Sequence, residues 1–435
     1  MIKDTNIIYI SAFGLLVRMF IFFVFYTHVT IYPDSSGYID LAQHISALSY
    51  SGYDGARTPG YALIIALSFG NLYGTVFYQF LFGILTAVLW YLLLQNLRFS
   101  KKQSLYITMF LQTFIHIYFF ETAILMETFV LLLITLAFYL ITLNKQTFAM
   151  HVILGLLFGY LVLTKPFYLY IPFLLYGFWF LQEPKNFKLL ASRFIILVFP
   201  VLAYLGWSSV VEKHHGYFSS TTLMGVYISQ NCVRFAEKSP DEFKWLSEPY
   251  VAYRDQAILE NKDIAMSIWY AYDDGAYDKY HMEFSELSKA LTEYAKVTIA
   301  NNPMEYLHQV VFYSWRDFWN PTLYWNYNDF NFKYANKLFR GIWYIQEPII
   351  YLFRIVFLLL VPVLIIKAIK NRTIDIGFII MSVIFIASIL QALLTYGTNN
   401  RFSFPFEFLI IISVLLYFKE SDWWFLKPLI NKFKF

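Results

Sequence analysis

Residues 33–62 read PDSSGYIDLAQHISALSYSGYDGARTPGYA, and they lie between two apolar runs. Into that short space the chain puts Asp34, Asp40, His44, Asp54 and Arg57, together with Tyr38, Gly60 and Tyr61. A bare connection between membrane helices needs none of these, so the stretch reads as an active-site loop. Asp34 has two uses there. It fits the N-cap of a helix over Ser36–Leu48, because an aspartate accepts hydrogen bonds from first-turn amides. It equally fits a general base held at the mouth of the membrane. Asp40 and His44 are four apart and share a helix face, either as a surface contact or as part of a site. The sequence Arg57-Thr58-Pro59-Gly60-Tyr61 joins a rigid backbone, a residue that permits close approach, and a planar fork of donors suited to phosphate or carboxylate. Contact with lipid headgroups is the plain alternative for Arg57.

Further along, four more charges stand at the ends of apolar runs. Glu127 is followed at once by TFVLLLITLAFYLI, and an ionisable residue at that depth marks a functional position. Glu121, six residues earlier, points to another helix face and is expected to be wet. Lys165, in the turn Lys165-Pro166, offers a compact donor for phosphate or snorkels to headgroups. Arg401, in TYGTNNRFSFPFEF, has the same two uses, with Tyr396 and Asn400 beside it. No HExxH, G-x-S-x-G, GxxxxGK[ST] or GxGxxG occurs, which argues against a zinc protease, a serine hydrolase and nucleotide chemistry.

The elements that must position these groups follow from composition. Of 435 residues, 59% are hydrophobic, 21% aromatic and only 14% charged; a soluble domain is about a quarter charged. Apolar runs near 7–27, 72–95, 103–120, 123–143, 149–163, 166–181, 189–210, 345–366, 374–394 and 403–418 predict an all-α polytopic membrane protein of about ten transmembrane helices. Residues 60–69 are too short a run to cross and should lie in the interface or dip in partway. The first run lacks a cleavage site after it and reads as a retained span. Cys232 stands alone, so no disulfide closes within the chain. A net charge of +4 with no basic tract gives no sign of nucleic acid as a partner.

Lysines and arginines cluster after every second run, at Arg98, Lys101, Lys102, Lys145, Lys185, Lys188, Arg193, Lys367, Lys370 and Arg372. By the positive-inside rule those connections and both termini are cytoplasmic. The Asp34 loop, the turns at 116–121, 165 and 396–401, and the segment 211–344 then share the outer side. The chain divides into a transmembrane catalytic module at 1–210, whose outer loop 28–71 carries the active site; an extracytoplasmic helical segment at 211–344; and C-terminal transmembrane helices at 345–435. Within the middle segment, residues 283–300 read as an amphipathic helix, and Asn302-Pro303 opens another over 304–318.

The order Asp-x-x-x-Tyr after the first span, R-T-P-G-Y, L-M-E-T, L-T-K-P, N-P-x-x-Y-L and N-R-F-x-F-P resembles the dolichyl-phosphate-mannose protein mannosyltransferase superfamily. These are glycosyltransferase family 39-like enzymes of GT-C fold. The likeness runs over nearly the whole chain as short separate motifs. It departs at Ser35, where relatives often carry a second acid, and at Lys165, where they commonly have arginine.

The resemblance implies a membrane glycosyltransferase that moves a sugar from a polyprenyl-phosphate-linked donor to an acceptor hydroxyl on a glycan, lipid or protein. Asp34 and Glu127 are its expected catalytic residues, Asp34 being the base. Arg57, Lys165, Arg401, Tyr38, Tyr61 and His44 are its expected substrate contacts. The resemblance implies no certain cofactor; the single acid at Asp34 leaves a divalent cation open. The expected setting is a bacterial inner membrane with the site facing outward, in contact with membrane lipid. Two other classes compete. An oligosaccharide ligase or polymerase would also use polyprenyl-diphosphate-linked glycans outside the membrane. A lipid-linked sugar transporter would place its charges near the midplane on broken helices.

Overall fold

The computed structural model describes residues 4–143, 146–397 and 399–420. Lys145 falls outside the described residues. Over the described residues the chain is helical, with one isolated bridge, Thr30 to Ala123, as its only strand-like pairing.

The helices run in order. First come α1 (Thr5–Phe20, extended by a π-helical turn, Ile21–Phe25), α2 (Pro33–Ser46), α3 (Pro59–Leu67), α4 (Leu72–Asn96), α5 (Lys101–Leu111) and α6 (Ile115–Thr122). Next are α7 (Glu127–Ile141), α8 (Phe148–Thr164), α9 (Tyr170–Gln182) and α10 (Phe187–His215). The middle segment holds α11 (Met224–Gln230), α12 (Lys244–Leu259), α13 (Ser267–Asp273), α14 (Phe284–Asn301), α15 (Pro303–Gln309) and the short α16 (Arg316–Phe318). The chain closes with α17 (Ala335–Asn371), α18 (Ile376–Leu394) and α19 (Glu407–Glu420), the last led in by a 3-10 turn, Arg401–Phe406.

Among the described residues six helical stretches are long and apolar enough to cross a membrane: 5–25, 72–96, 187–215, 335–371, 376–394 and 401–420. The protein is therefore a helical integral membrane protein. The other expected spans are shorter. The run at 103–120 breaks at Gln112–Phe114 into α5 and α6, and α7 has 15 residues. At 1.5 Å per residue such a helix falls short of the roughly 30 Å hydrocarbon layer. For α7 the position explains the length. In α7 every residue but Leu136, Tyr139 and Ile141 is buried, so protein, not lipid, surrounds it. Irregular backbone is tolerated at membrane depth only in such surroundings or beside a cavity. The short apolar run after Gly60 is indeed one small helix, α3, largely buried.

Two apolar cores separate the chain. The larger unites the long helices; the smaller gathers Val226, Phe235, Leu246, Tyr250, Leu291 and Tyr294 from the middle segment. By Phe318, Trp319 and Trp325 the chain has rejoined the larger core, and Phe339 and Trp343 of α17 belong to it too. The aromatic content of 311–325, too polar overall to count as a span, is what packs there.

Candidate active site

The chain ends that matter lie together. The first turns of α2, α3 and α7, the last turn of α8 and the Arg401 lead-in approach one place, which collects residues far apart in sequence.

Asp34 is not the N-cap of its helix. Tyr32 occupies that position, Pro33 opens α2, and Asp34 sits in the first turn with its side chain turned outward. Its Oδ1 accepts from Arg57 at 2.8 Å and its Oδ2 accepts from Arg401 at 2.6 Å. Burial by itself would raise the Asp34 pKa, but Arg401 and Arg57 together hold it well below the usual carboxylate range. The Arg57 guanidinium is correspondingly held in its charged form against its own burial.

Several local contacts fix Asp34. The backbone of Thr30 exchanges hydrogen bonds with Thr122 and Ile124 at 3.0 Å each, and Ser35 Oγ donates to the Ile124 carbonyl at 2.8 Å. These bonds lay the start of α2 along the 122–126 connection, so Asp34 and Glu127 become neighbours. Glu127 is buried, and its Oε1 lies 3.0 Å from Arg401 Nε.

Arg57 is placed by its loop. Its backbone amide donates to the Tyr53 hydroxyl at 2.6 Å, and its guanidinium lies 5.1 Å from the Tyr38 ring centre. Thr58 Oγ1 donates to the Thr164 carbonyl at 3.0 Å, and Gly60 makes the approach tighter still. A Cβ on Gly60 would come within 2.5 Å of the Thr164 amide nitrogen. Only glycine lets α3 start against the end of α8, and that contact brings Arg57 towards Lys165.

Lys165 Nζ lies 3.2 Å from the centre of the Phe402 ring, next to Arg401. Among the described residues it has neither a hydrogen bond nor an ion pair. Burial, only partly opposed by Glu127, pulls its pKa well below the ordinary lysine value. Arg57 Nε and both Glu127 oxygens are likewise buried without hydrogen bonds. Buried polar groups are normally satisfied, so this concentration of unmade bonds at one place marks a site shaped for a polar ligand.

Of the expected residues, Asp34, Glu127, Arg57, Lys165, Arg401 and Tyr38 converge. Tyr61 stands behind them: its ring meets Tyr38 edge-on at 5.1 Å and its hydroxyl donates to Gln79 at 3.0 Å. His44 does not join. It faces Asp40 at 3.7 Å and the Ser49 carbonyl at 3.0 Å, and reaches the site only through the Tyr53 ring.

Two residues of the site had no motif to announce them. Tyr227 brings its hydroxyl to 3.3 Å from Arg57, and the Tyr324 ring lies 5.9 Å from the Arg401 guanidinium. Both come from the middle segment, which is tied to the loop by Thr222 bonding the Gly55 and Asp54 carbonyls.

Glu121 is a correction. It is fully buried, not wet, and takes both Nε and an NH2 nitrogen of Arg18 at 2.7 and 2.6 Å. A second buried ionic cluster joins His116, Glu407 and Arg354, with Glu407 Oε1 2.7 Å from His116 and Oε2 2.9 Å from Arg354. Arg354 also donates to the Asn320 carbonyl at 2.8 Å. Glu407 stands six residues after Arg401, so this cluster steadies the turn that presents Arg401. Arg18, Arg354 and Glu407 are each an ionisable residue inside an apolar run, a signal present in the sequence.

No three His, Cys, Asp or Glu side chains gather to hold a metal among the described residues, and the two carboxylates of the site face arginine instead. Compared with known proteins, the chain matches no protein-family model, no curated protein and no solved structure.

Proposed function

We propose that this chain is a membrane glycosyltransferase that takes a sugar from a polyprenyl-phosphate-linked donor and delivers it to an acceptor hydroxyl on the outer face of a bacterial inner membrane. A ten-span architecture of GT-C type belongs to the same reading. The observation that carries it is the Asp34 carboxylate held between two guanidiniums, Arg57 at 2.8 Å and Arg401 at 2.6 Å, with Lys165 unpaired beside them.

Two guanidiniums and a lysine offer a phosphate a set of convergent donors and favour its departure. An apolar groove of about 380 Å3, lined by Pro59, Leu63, Leu163, Leu202 and Trp207, begins two residues from both Arg57 and Lys165. It offers an isoprenoid chain a path from the bilayer to the charged cluster.

In the free site Asp34 is a poor base, because its pKa is held low by the arginines. A donor phosphate competes for the same forks. As the guanidiniums turn to phosphate, the Asp34 pKa rises towards its ordinary value and the carboxylate is released to act. The acceptor oxygen then bonds to the anomeric carbon, the carbon–oxygen bond to phosphate breaks, and its electron pair leaves with the lipid phosphate. The acceptor proton passes to Asp34. Glu127 holds Arg401 in place during this exchange.

Asp34→Asn is the test. Asparagine keeps the shape but takes no proton, so transfer should fall by roughly two to four decades while donor still binds and the protein remains folded. Transfer above about a tenth of the normal rate would send the search for a base to Glu127.

A further inference from the structure

A second cavity, of about 620 Å3, shares two residues with the surroundings of Arg401. Tyr324 lies in its wall and also faces the Arg401 guanidinium; Asn400, also in the wall, immediately precedes Arg401. The volume is that of a small-ligand site, roughly 300–1,000 Å3.

Its lining differs from the apolar groove. Ser314, Arg316 and Asn320 supply hydroxyl, guanidinium and amide groups, and Tyr313 and Tyr396 supply ring faces. The rings are fixed in advance. Arg234 lies 3.5 Å from the Tyr313 ring centre and 5.6 Å from that of Tyr396, and its Nε donates to the Tyr396 hydroxyl at 3.1 Å. Gly397, at φ +89°, lets this wall close against the middle segment, since a Cβ there would fall 2.3 Å from that of Ala265.

Two observations point to a ligand. Ser314 Oγ is buried and has no hydrogen-bond partner, although it borders the cavity. Arg316, exposed to solvent, borders it too. Both residues are presented by the π-helical turn Val310–Trp315 and the residue after it. Such turns carry an extra residue at an energetic cost and occur often at functional sites.

Preformed aromatic faces beside amide, hydroxyl and guanidinium donors suit a ring with apolar C–H faces and hydroxyl edges. A lipid tail would find too many polar groups to desolvate. We propose that this cavity is the acceptor site and that the acceptor is a saccharide, whose attacking hydroxyl passes Tyr324 to reach Asp34. The role as acceptor rests on the glycosyl-transfer reading above; saccharide binding does not.

The experiment is saturation-transfer NMR on the full-length protein in lipid nanodiscs, without donor. The probes are lactose, maltose, cellobiose and chitobiose, with a serine-containing tetrapeptide as the competing class. At least one disaccharide should receive saturation, and its affinity should drop about tenfold or more in Arg316→Ala and in Ser314→Leu. Arg340→Ala, at an exposed position away from the cavity, should bind as the parent does. Arg316 is exposed, so its alanine variant keeps the fold and decides the matter if Ser314→Leu does not fold. Saturation of the peptide alone, of no probe, or of disaccharides equally in both cavity variants overturns the proposal. If saccharide binding holds while Asp34→Asn transfers normally, the glycosyl-transfer reading fails and the saccharide site stands. If transfer is lost in Asp34→Asn but no saccharide binds, only the present proposal fails.

Discussion

Asp34 Oδ2 accepts a 2.6 Å hydrogen bond from Arg401, a residue 367 positions later in the chain. That one contact joins the first loop to the start of the last helix. With Arg57 on the other carboxylate oxygen, it makes the negative charge of Asp34 a placeholder for the anion that the two arginines are proposed to receive.

Lysine at either position keeps the charge and loses the planar fork. Arg57→Lys and Arg401→Lys should each weaken donor binding by about ten- to a hundredfold, the value of a charge-assisted hydrogen bond. Arg401→Lys should be the worse, since Arg401 also meets Glu127 at 3.0 Å. Arg340→Lys, on an exposed surface, is the control. Equal donor affinity in all three would dismiss the clamp.

The pairing of Asp34 has a consequence for stability. Its folded pKa lies below the unfolded value of about 3.9. The stabilisation is therefore complete above that value and is lost as the pH falls through the lower, folded pKa. Melting curves of the parent and of Asp34→Asn should differ by a constant amount from neutral pH down to about 5, then converge below about 4. A gap that widens on acidification contradicts the pairing.

Glu121→Gln should destabilise without touching the chemistry. It strands the Arg18 charge in a site where Arg18 and Glu121 are 2% and 0% exposed, and breaking a buried pair costs about 3–5 kcal/mol. The double replacement Arg18→Met with Glu121→Met should regain most of that loss. Thermal unfolding in nanodiscs measures both; a single variant as stable as the parent would mean that the pair is wet.

The proposed outward orientation is open to direct measurement. In a Cys232→Ala background, a cysteine at Asp278 should react with an impermeant maleimide on intact cells. Cysteines at Lys101 and Lys370 should react only after permeabilisation. All three positions are exposed, so access reports sidedness. The reverse pattern would invert the topology.

What the sequence determined by itself is local. Long apolar runs specify helices, because a helix satisfies its backbone within four residues and lipid demands apolar side chains along its length. The same locality made Asp34, Arg57, Glu127, Lys165 and Arg401 conspicuous, since a charge at the end of an apolar run stands out without knowledge of its partner. The tertiary structure decided the partners. Asp34 met Arg57 and Arg401 instead of capping its own helix, and Glu121 met Arg18 across 103 positions. His44 turned away, while Tyr227 and Tyr324 came in from a segment that carried no motif. Helical periodicity says which side chains share a face, but not which helix that face will meet. That is settled by close approaches such as Gly60 against Thr164, and by the need of every buried charge to find its opposite.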